Sequence, residues 1–438
     1  MQLTRRSVLR TVAAAAPAAR GFAANDRVQA GFIGCGARAH ELMAALGVHP
    51  GVAITKVCDA YTGRVERALE RLKGLGHPAS AAKGWREIIA DKSLDAVVIA
   101  SPDHWHKIHV LEALNAGKDV YCEKPLTYRV EDGLEILAAM KRTGKIVQVG
   151  SQGVSGQTQI KAREMIQSGR LGKVTMIRAA YNRNTASGAW IYPIPPDASP
   201  RTVNWAEFEG PAAKKYPFSL ERFFRWRCFS EYSGGIATDL FVHLCTTIHY
   251  LMGAEAPSRV SAMGSIYRWK ESRDVPDTLN AILEYPEGFT VNLSSTFNNQ
   301  SAAESSFVFL GTEGTISLGW GEMRYEPENV HEDNAWIVAS WPSKLEAAYW
   351  ADPRVRAAER PAAGKPKLVR GQETYRAEGL DATWSHFGAW LESIRTRQPH
   401  WEDGYRGHRA AACAHMVNES IKLGRVVRWD AAADRMMA

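Results

Sequence analysis

The chain of 438 residues has no long apolar stretch and no dense run of charges of one sign. No segment reaches the roughly 20 consecutive apolar residues that a membrane-spanning helix needs, so we expect no membrane insertion. Lysine and arginine are spread along the body of the chain, so we expect no nucleic-acid partner either. Apolar residues make up 45% and charged residues 23%, a balance typical of globular proteins. The length allows two or three domains.

Cysteine is scarce, and its spacing excludes two common kinds of site. The six residues include no Cys-x-x-C pair of the kind found in zinc sites and redox motifs. We therefore expect no metal site and no disulfide framework, and buried thiols that pack as small apolar side chains. The cysteines are Cys35, Cys58, Cys122, Cys228, Cys245 and Cys413.

The first 24 residues differ in character from the rest. Arg5 and Arg6 precede a short alanine-rich run at 11–19, and small residues follow. This order is typical of a secretory signal, and the adjacent arginines resemble a twin-arginine (Tat) export signal. The alternative is an untargeted, basic N-terminus. Cleavage after Ala23 or Ala24 lowers the net charge from +7 to +3, and the mature protein is then expected in the periplasm.

Residues 25–150 alternate short apolar runs with amphipathic, helix-like stretches. The apolar runs are Val28–Ile33, Val52–Cys58, Asp95–Ala100, Asp119–Cys122 and Ile146–Gly150. The helical patterns between them are Arg38–Leu46, Arg64–Leu72, Lys107–Ala116 and Val130–Arg142. Buried strands that alternate with helices predict an α/β fold, here a Rossmann domain with a doubly wound parallel sheet.

Residues 151–438 predict a second, α+β domain that carries the substrate site. After a helical pattern near 158–168, strands follow one another through short turns such as Tyr285-Pro286-Glu287-Gly288, which predicts a large, mostly antiparallel sheet. Residues 326–374 are poorly periodic and predict a functional or interface loop. Two helical patterns at 384–425 allow helices that pack back on the first domain. The expected strands are Val174–Tyr181, Thr278–Tyr285, Thr290–Phe297 and Ser306–Leu310.

A glycine-rich loop joins the first strand to the first helix. Gly34 permits a tight turn, Gly36 lets the backbone approach a pyrophosphate, and the helix N-terminus faces the phosphates. Asp59 ends the second strand, where a carboxylate accepts hydrogen bonds from ribose hydroxyls and repels a 2′-phosphate. The pattern predicts bound NAD rather than NADP, and the alternative is a packing turn beside a chance acid. The expected dinucleotide contacts are Gly34, Cys35, Gly36, Ala37, Arg38 and Asp59.

Two further polar segments follow buried strands, at the strand ends where open α/β sheets bind ligands. Ser101, Asp103 and His106 belong to the first segment, and we expect them to line the cofactor cleft. On the alternative interpretation, the Pro-Asp pair only caps the next helix. Glu123 and Lys124 belong to the second segment, and a lysine in such a cleft can act as a general acid or base for a substrate hydroxyl.

These motifs, together with the segment Ser233–His243 and its Gly-Gly, Asp239 and His243, resemble the Gfo/Idh/MocA oxidoreductases, which include glucose–fructose oxidoreductase and inositol dehydrogenase. The resemblance spans about residues 27–430. It implies a catalytic group of Lys124, Asp239 and His243, of which the last two share one helix face at i and i+4. It also implies that Glu123 and Gln152 contact the nicotinamide end of the cofactor, although asparagine is common where Gln152 stands.

We expect the substrate pocket to be bordered by Arg183, Arg225 and Trp226, with Trp190 as an alternative aromatic. Arginine and tryptophan suit hydroxyl-rich ligands through planar donors and an apolar platform. The resemblance therefore implies a carbohydrate or polyol as the small-molecule partner.

The resemblance implies hydride transfer between NAD and a secondary hydroxyl of a sugar or cyclic polyol. Export favours a tightly held cofactor, because free NAD is scarce outside the cytoplasm. One alternative is a redox-neutral glycosidase, in which transient ring-hydroxyl oxidation permits elimination of the aglycone, hydration and return of the hydride. Another is a sugar-binding protein without catalysis. An exposed sheet face in the second domain predicts a homodimer or homotetramer.

Overall fold

The protein is described by a computed structural model that covers residues 27–301, 307–319, 321–328, 334–358, 371–379 and 381–437. The predicted export signal and Ser306 lie outside these described residues. Within them, two sheets organise the molecule, and each anchors its own hydrophobic core.

The first unit is built on a six-stranded parallel sheet with the order β3-β2-β1-β4-β5-β6. Its strands are β1 Val28–Ile33, β2 Val52–Cys58, β3 Ser80–Ala81, β4 Ala96–Ile99, β5 Asp119–Cys122 and β6 Val147–Val149. Its helices are α1 Ala37–Leu46, α2 Thr62–Gly74, α3 Trp85–Ala90, α4 His106–Asn115 and α5 Val130–Thr143. The predicted α/β class is confirmed. The strand order reverses between β1 and β4, which creates a crevice at their carboxyl ends.

Two elements of this unit, β3 and α3, have no counterpart among the predicted elements. Strand β3 contains two residues, and both are exposed. Helix α3 contains six residues, fewer than two full turns. Neither segment is long enough to show an apolar period, and periodicity was the signal used for the other elements.

The second unit is built on a ten-stranded sheet with the order β14-β13-β12-β11-β7-β10-β9-β8-β15-β16, counted over the described residues. Neighbouring strands run antiparallel except β7 and β10, which are parallel. The strands are β7 Val174–Ala180, β8 Arg259–Ser265, β9 Thr278–Tyr285, β10 Phe289–Thr296, β11 Phe307–Gly311, β12 Gly314–Leu318, β13 Glu322–Pro327, β14 Glu373–Arg376, β15 Val427–Asp430 and β16 Arg435–Met437. This confirms the predicted large, mostly antiparallel sheet.

Helices cover one face of this sheet, since buried and exposed residues alternate along β9 and β10. Helices α6, α9 and α14 pack together, and α14 lies against β8. The helices after β6 are α6 Gln157–Gln167, α7 Trp205–Glu209, α8 Leu220–Phe224, α9 Val242–Met252, α10 Ala335–Val338, α11 Ser343–Ala351, α12 Pro353–Ala358, α13 Ala382–Thr396 and α14 Gly404–Leu423.

Helix α13 belongs to the core of the first unit, although it lies between strands β14 and β15 of the second sheet in the chain. Phe387, Trp390 and Leu391 are buried with Leu42 of α1 and Tyr121 of β5. The indole N–H of Trp390 donates a hydrogen bond to the carbonyl of Val120 at 3.2 Å. This helix therefore ties the second unit to the sheet that carries the crevice.

The segment 326–374, expected to be irregular, contains the short helices α10, α11 and α12 where it is described. Helix α11 buries none of its side chains, so its apolar residues form no stripe that a sequence pattern could reveal. Among the helices of the described residues, none combines the length and hydropathy required to cross a bilayer.

Candidate functional site

A cavity of about 1230 Å³ opens at the carboxyl ends of the parallel strands and extends between the two units. The first unit contributes Gly36, Asp59 and Lys124 to its lining, and the second contributes Asp239 and His243. Predicted cofactor and catalytic residues that are far apart in the chain thus share one cleft.

The glycine loop packs closely against the neighbouring backbone at Gly34 and leaves open space beside Gly36. Gly34 has a φ of +91°, and a Cβ there would lie 2.7 Å from the carbonyl carbon of Ala100. Only glycine satisfies both conditions without strain. Gly36 has an extended backbone, and a Cβ there would meet only the Cζ of Arg64 at 4.0 Å. Such a Cβ would therefore project into space that a dinucleotide can use.

Helix α1 begins at Ala37 with no side chain capping its N-terminus. Its first N–H groups and the positive end of its dipole therefore remain available to an anion in the cleft. The open backbone at Gly36 and this uncapped helix end fit the pyrophosphate of a dinucleotide.

Asp59 is fixed at the edge of the cleft by two backbone donors. Its Oδ2 accepts a hydrogen bond from the N–H of Cys35 at 2.7 Å, and its Oδ1 accepts one from Tyr61 at 2.9 Å. The nearest cation is the Nη1 of Arg64 at 3.7 Å. A carboxylate held in this way fits a ribose diol. Cys35 corrects one predicted dinucleotide contact: it is not part of the cleft lining, its side chain is buried, and its N–H is used to hold Asp59.

In the segment after β4, some residues line the cleft and others hold the lining in place. Ser101 and Asp103 line the cleft, and the Ser101 hydroxyl pairs with the Nδ1 of His109 at 3.0 Å. Burial raises the pKa of Asp103 above its usual value.

His106 was expected to line the cofactor cleft, but it lies outside the cleft lining, which corrects that prediction. Its two ring nitrogens pair with the carbonyl oxygens of Pro125, at 2.6 Å, and Ser101, at 2.8 Å. Both nitrogens are occupied by backbone, so this residue holds the two lining segments together and does not reach a cofactor.

Glu123 is the centre of a hydrogen-bonded cluster. Its Oε1 accepts from the Nε of Arg38 at 3.0 Å and from the Nε2 of Gln152 at 2.9 Å. Gln152 also donates to the hydroxyl of Tyr121 at 2.6 Å. A Cβ at Gly150 would lie 2.7 Å from the same Oε1, so glycine is needed there for Glu123 to keep its position. The cluster orients the carboxylate and the amide side by side at the cleft.

Lys124, Asp239 and Arg227 form a compact group of charges. The ammonium of Lys124 donates to the Oδ1 of Asp239 at 2.9 Å and to its carbonyl oxygen at 2.7 Å. The Nε of Arg227 donates to the same Oδ1 at 3.0 Å. Burial alone would raise the pKa of Asp239, but the adjacent Lys124 and Arg227 outweigh it and hold that pKa well below its usual value. Asp239 is therefore an anion, and both side-chain donors that reach it within the described part of the chain use Oδ1 rather than Oδ2.

His243 is the remaining member of the predicted catalytic group. It stands in the first turn of α9, and Asp239 precedes it in a π-helical turn, Ala237–Phe241. Burial and the nearby Lys124 lower the pKa of His243 well below its usual value. The imidazole is therefore neutral near pH 7 and can accept a proton from a hydroxyl in the cleft.

On the side expected to bind substrate, Arg183, Trp190 and Trp226 line the cleft. Arg225 does not, which corrects that prediction. Its Nε donates to the carbonyl of Tyr192 at 3.0 Å, and its Nη1 pairs with Glu221 at 3.1 Å. Arg227, two residues later, supplies the guanidinium of the site. No sequence pattern distinguished the two arginines, because they stand in the single 3₁₀ turn Trp226–Cys228 and directly before it, which is too short to show a period.

The chain belongs to the Gfo/Idh/MocA oxidoreductase family. Residues 28–151 match that family's NAD-binding Rossmann domain, and residues 200–317 match its C-terminal domain. The predicted family and the predicted cofactor, NAD, are thereby confirmed.

Two named enzymes are similar to this chain in sequence, and a third is similar in structure. The chain is 26% identical over 277 residues to the scyllo-inositol 2-dehydrogenase (NAD⁺) of Bacillus subtilis, covering 62% of this chain and 67% of that enzyme. It is 27% identical over 159 residues to an α-N-acetylgalactosaminidase of Shewanella oneidensis, covering 35% of each. The structure of a levoglucosan dehydrogenase with NADH and levoglucosan superposes with a TM-score of 0.65, at 19% identity, over 92% of this chain and 99% of that one.

Proposed function

We propose that the protein transfers a hydride between NAD and a secondary hydroxyl of a sugar or cyclic polyol. One observation carries the proposal: Lys124, Asp239 and His243 meet in the same cleft as the glycine loop and Asp59. The inositol dehydrogenase among the relatives supports a polyol-type substrate.

Each of these three side chains has its own role in the proposed reaction. When bound, NAD supplies the hydride acceptor. Neutral His243 takes the proton of the hydroxyl that is oxidised. The Lys124 ammonium has three donors and uses two of them on Asp239, so one remains for the reacting oxygen. Asp239 accepts a hydrogen bond from a second hydroxyl through Oδ2 and so orients the ring.

The test combines nucleotide identification with a substrate screen. Mass spectrometry of the purified, denatured protein should detect NAD. Adding sugars and cyclic polyols one at a time should raise the reduced-nicotinamide absorbance for at least one of them. Lys124→Ala should lower this rate by about 10²- to 10⁴-fold. Lys107→Ala is the matched control, because Lys107 pairs with Asp132 and Glu135 outside the cleft lining.

A redox-neutral glycosidase is the second candidate, and the similarity to an α-N-acetylgalactosaminidase supports it. Its signature is release of aglycone from an aryl glycoside with no net change in reduced nicotinamide. The two candidates therefore separate in one assay that follows both absorbances. Substrate binding with neither signal would instead indicate a sugar-binding protein without catalysis.

We propose that residues 1–24 direct export to the periplasm through the twin-arginine route, and that the nicotinamide cofactor travels with the folded protein. Replacing Arg5 and Arg6 together by lysine should leave the full-length precursor in the cytoplasm in a fractionation experiment. A periplasmic, processed double variant would contradict the proposed route.

We also propose that the open face of the second sheet pairs with another copy. Met263 of β8 and Ile282 of β9 are 80% and 59% exposed there. Ile282→Asp should shift the mass measured by light scattering to that of a monomer. Leu134→Asp is the matched control, because it adds the same charge at a site 41% exposed on α5 of the first unit and should leave the mass unchanged.

A further inference from the structure

Two of the six cysteines lie together in the core of the second unit. Cys245 is on α9 and Cys413 is on α14, and both side chains are fully buried. Their Sγ atoms are 2.8 Å apart. A disulfide bond is about 2.05 Å long, so bonding requires the sulfurs to approach by less than about 1 Å. Small side-chain rotations can supply such a shift.

Three of the other four cysteines are placed differently. Cys35, Cys122 and Cys228 direct their Sγ atoms towards backbone carbonyl oxygens. Spacing along the chain could not reveal this pair, because Cys245 and Cys413 are 168 residues apart. Only the packing of α9 against α14 brings them together.

A polar chain reaches this pair through the apolar core. The hydroxyl of Tyr285 lies 3.9 Å from the Sγ of Cys413, and the Nε2 of His249 lies 2.9 Å from that hydroxyl. Oxidation proceeds through a thiolate. Neither neighbour can accept the thiol proton in the folded core, because burial lowers the pKa of His249 to about 3 and raises that of Tyr285. Burial also raises the pKa of Cys245, so the thiols are oxidised during folding or when the core opens locally.

We propose that Cys245 and Cys413 form a disulfide that links α9 to α14 when the protein meets a small-molecule disulfide such as oxidised glutathione. The thiolate of one cysteine attacks a glutathione sulfur and releases one glutathione. The second cysteine then attacks the mixed disulfide and releases the other. The protein loses two protons and two electrons, and one oxidised glutathione becomes two reduced molecules.

The bond lies next to the catalytic elements. His243 is two residues before Cys245 on the same helix. On α14, the amide of Asn418 donates to the carbonyl of Gly234 at 2.8 Å, just before the π-helical turn that carries Asp239. The disulfide therefore ties the helix that carries His243 to its neighbour. Joining points so distant in the chain restricts the unfolded state, which should stabilise the oxidised protein.

The test is a thiol map of the full-length protein. The protein is unfolded in guanidinium chloride and refolded either in a glutathione redox buffer or with a reductant. Remaining thiols are alkylated in denaturant and counted by mass spectrometry. We expect four alkylated cysteines in the oxidised sample, six in the reduced sample, and one linked peptide pair that contains Cys245 and Cys413. The oxidised sample should also unfold at a higher guanidinium concentration.

Substitutions locate the bond. Cys413→Ala should remove the linked peptide and the redox-dependent shift in unfolding midpoint, whereas Cys228→Ala should retain both. Six alkylated cysteines in the refolded, oxidised wild-type protein would overturn the proposal, as would a linked peptide between other cysteines. Because the wild-type map decides the question, the result stands even where a variant fails to fold. It is also independent of whether the protein oxidises sugars.

Discussion

At the scale of single residues, Asp239 and His243 are held in different protonation states, and Lys124 acts on both. Lys124 and Arg227 lower the pKa of Asp239 and keep it ionised, and burial together with Lys124 keeps His243 neutral. A proton acceptor and an orienting anion are therefore both ready at neutral pH. This separation is what general base catalysis on a hydroxyl requires.

His243→Gln tests this division of roles. The substitution keeps a polar side chain but removes the proton acceptor, so kcat should fall by about 10²- to 10⁴-fold with a smaller change in KM. In the wild-type protein, the acid limb of kcat/KM should lie below the ordinary histidine pKa of about 6.5, because the pKa of His243 is lowered. An unchanged kcat in the variant, measured with its bound nucleotide confirmed, would remove His243 from the mechanism.

The residues that sequence reasoning assigned correctly to the cleft lining stand at the ends of regular elements. Lys124 follows β5 and His243 opens α9, so the parallel-sheet rule and helical spacing were enough to bring them together. Arg225 and His106 were misplaced for a physical reason. The direction of a side chain in an irregular turn, and the partner of a buried imidazole, depend on tertiary contacts that no local pattern encodes. The roles of the lining residues stay predictions until variants are measured.

At the scale of elements, the glycine loop permits a matched pair of substitutions. Gly34→Ala should destabilise the fold by at least about 1–3 kcal/mol, because a φ of +91° and the contact with Ala100 both oppose a side chain. Gly36→Ala should leave the unfolding midpoint nearly unchanged, because its Cβ meets open space, yet it should weaken NAD binding. Denaturant unfolding and nucleotide content of each purified variant provide the readouts. Equal NAD content in wild type and Gly36→Ala would contradict the proposed pyrophosphate position.

The second prediction at this scale concerns helix α13. Trp390 is fully buried and bonds to Val120 within the sheet of the first unit. Trp390→Ala should cost about 3–5 kcal/mol of unfolding free energy, through lost burial and an unfilled cavity. Leu345→Ala, at a site 56% exposed on α11, should change stability by no more than about 0.5 kcal/mol. Similar losses in both variants would show that α13 is not an integral part of the first core.

Many elements with an apolar run or a helical period were predicted to within a few residues, whereas β3, α3 and the seven-residue β8 were not predicted. Strands β1, β2 and β5 have the predicted bounds, and α14 begins three residues earlier than its pattern. The π-helical turn before α9 has no sequence signature, since the wider turn is set by how the segment packs. Local propensity therefore accounts for the regular scaffold, and packing accounts for the geometry of the site.

At the scale of the whole molecule, histidines buried in the neutral state couple stability to pH. Burial lowers the pKa of His249 and His386 to about 3, and that of His104 and His415 to about 4. In the unfolded chain these imidazoles titrate near 6.5. Below that pH the unfolded state therefore binds more protons than the folded state, and acidification favours unfolding. Burial raises the pKa of five carboxyl groups, which act in the opposite direction, but it lowers the pKa of nine histidines. The five are Asp103, Glu207, Glu287, Glu402 and Asp403.

We therefore expect the free energy of unfolding to fall as the pH drops from about 6.5 towards 4. Each such histidine contributes up to about 1.4 kcal/mol per pH unit. Guanidinium titrations at pH 7.5, 6.5 and 5.5 measure the slope, provided that the protein remains folded at the lowest pH. His415→Gln should reduce the slope by the contribution of one histidine. The stability lost through the substitution itself is measured at pH 7.5, where the wild-type imidazole is neutral in the folded and the unfolded state. If the free energy of unfolding stays constant or increases as the pH falls over this range, the buried histidines are charged in the folded protein. The protonation state of His243 would then have to be tested in the same way.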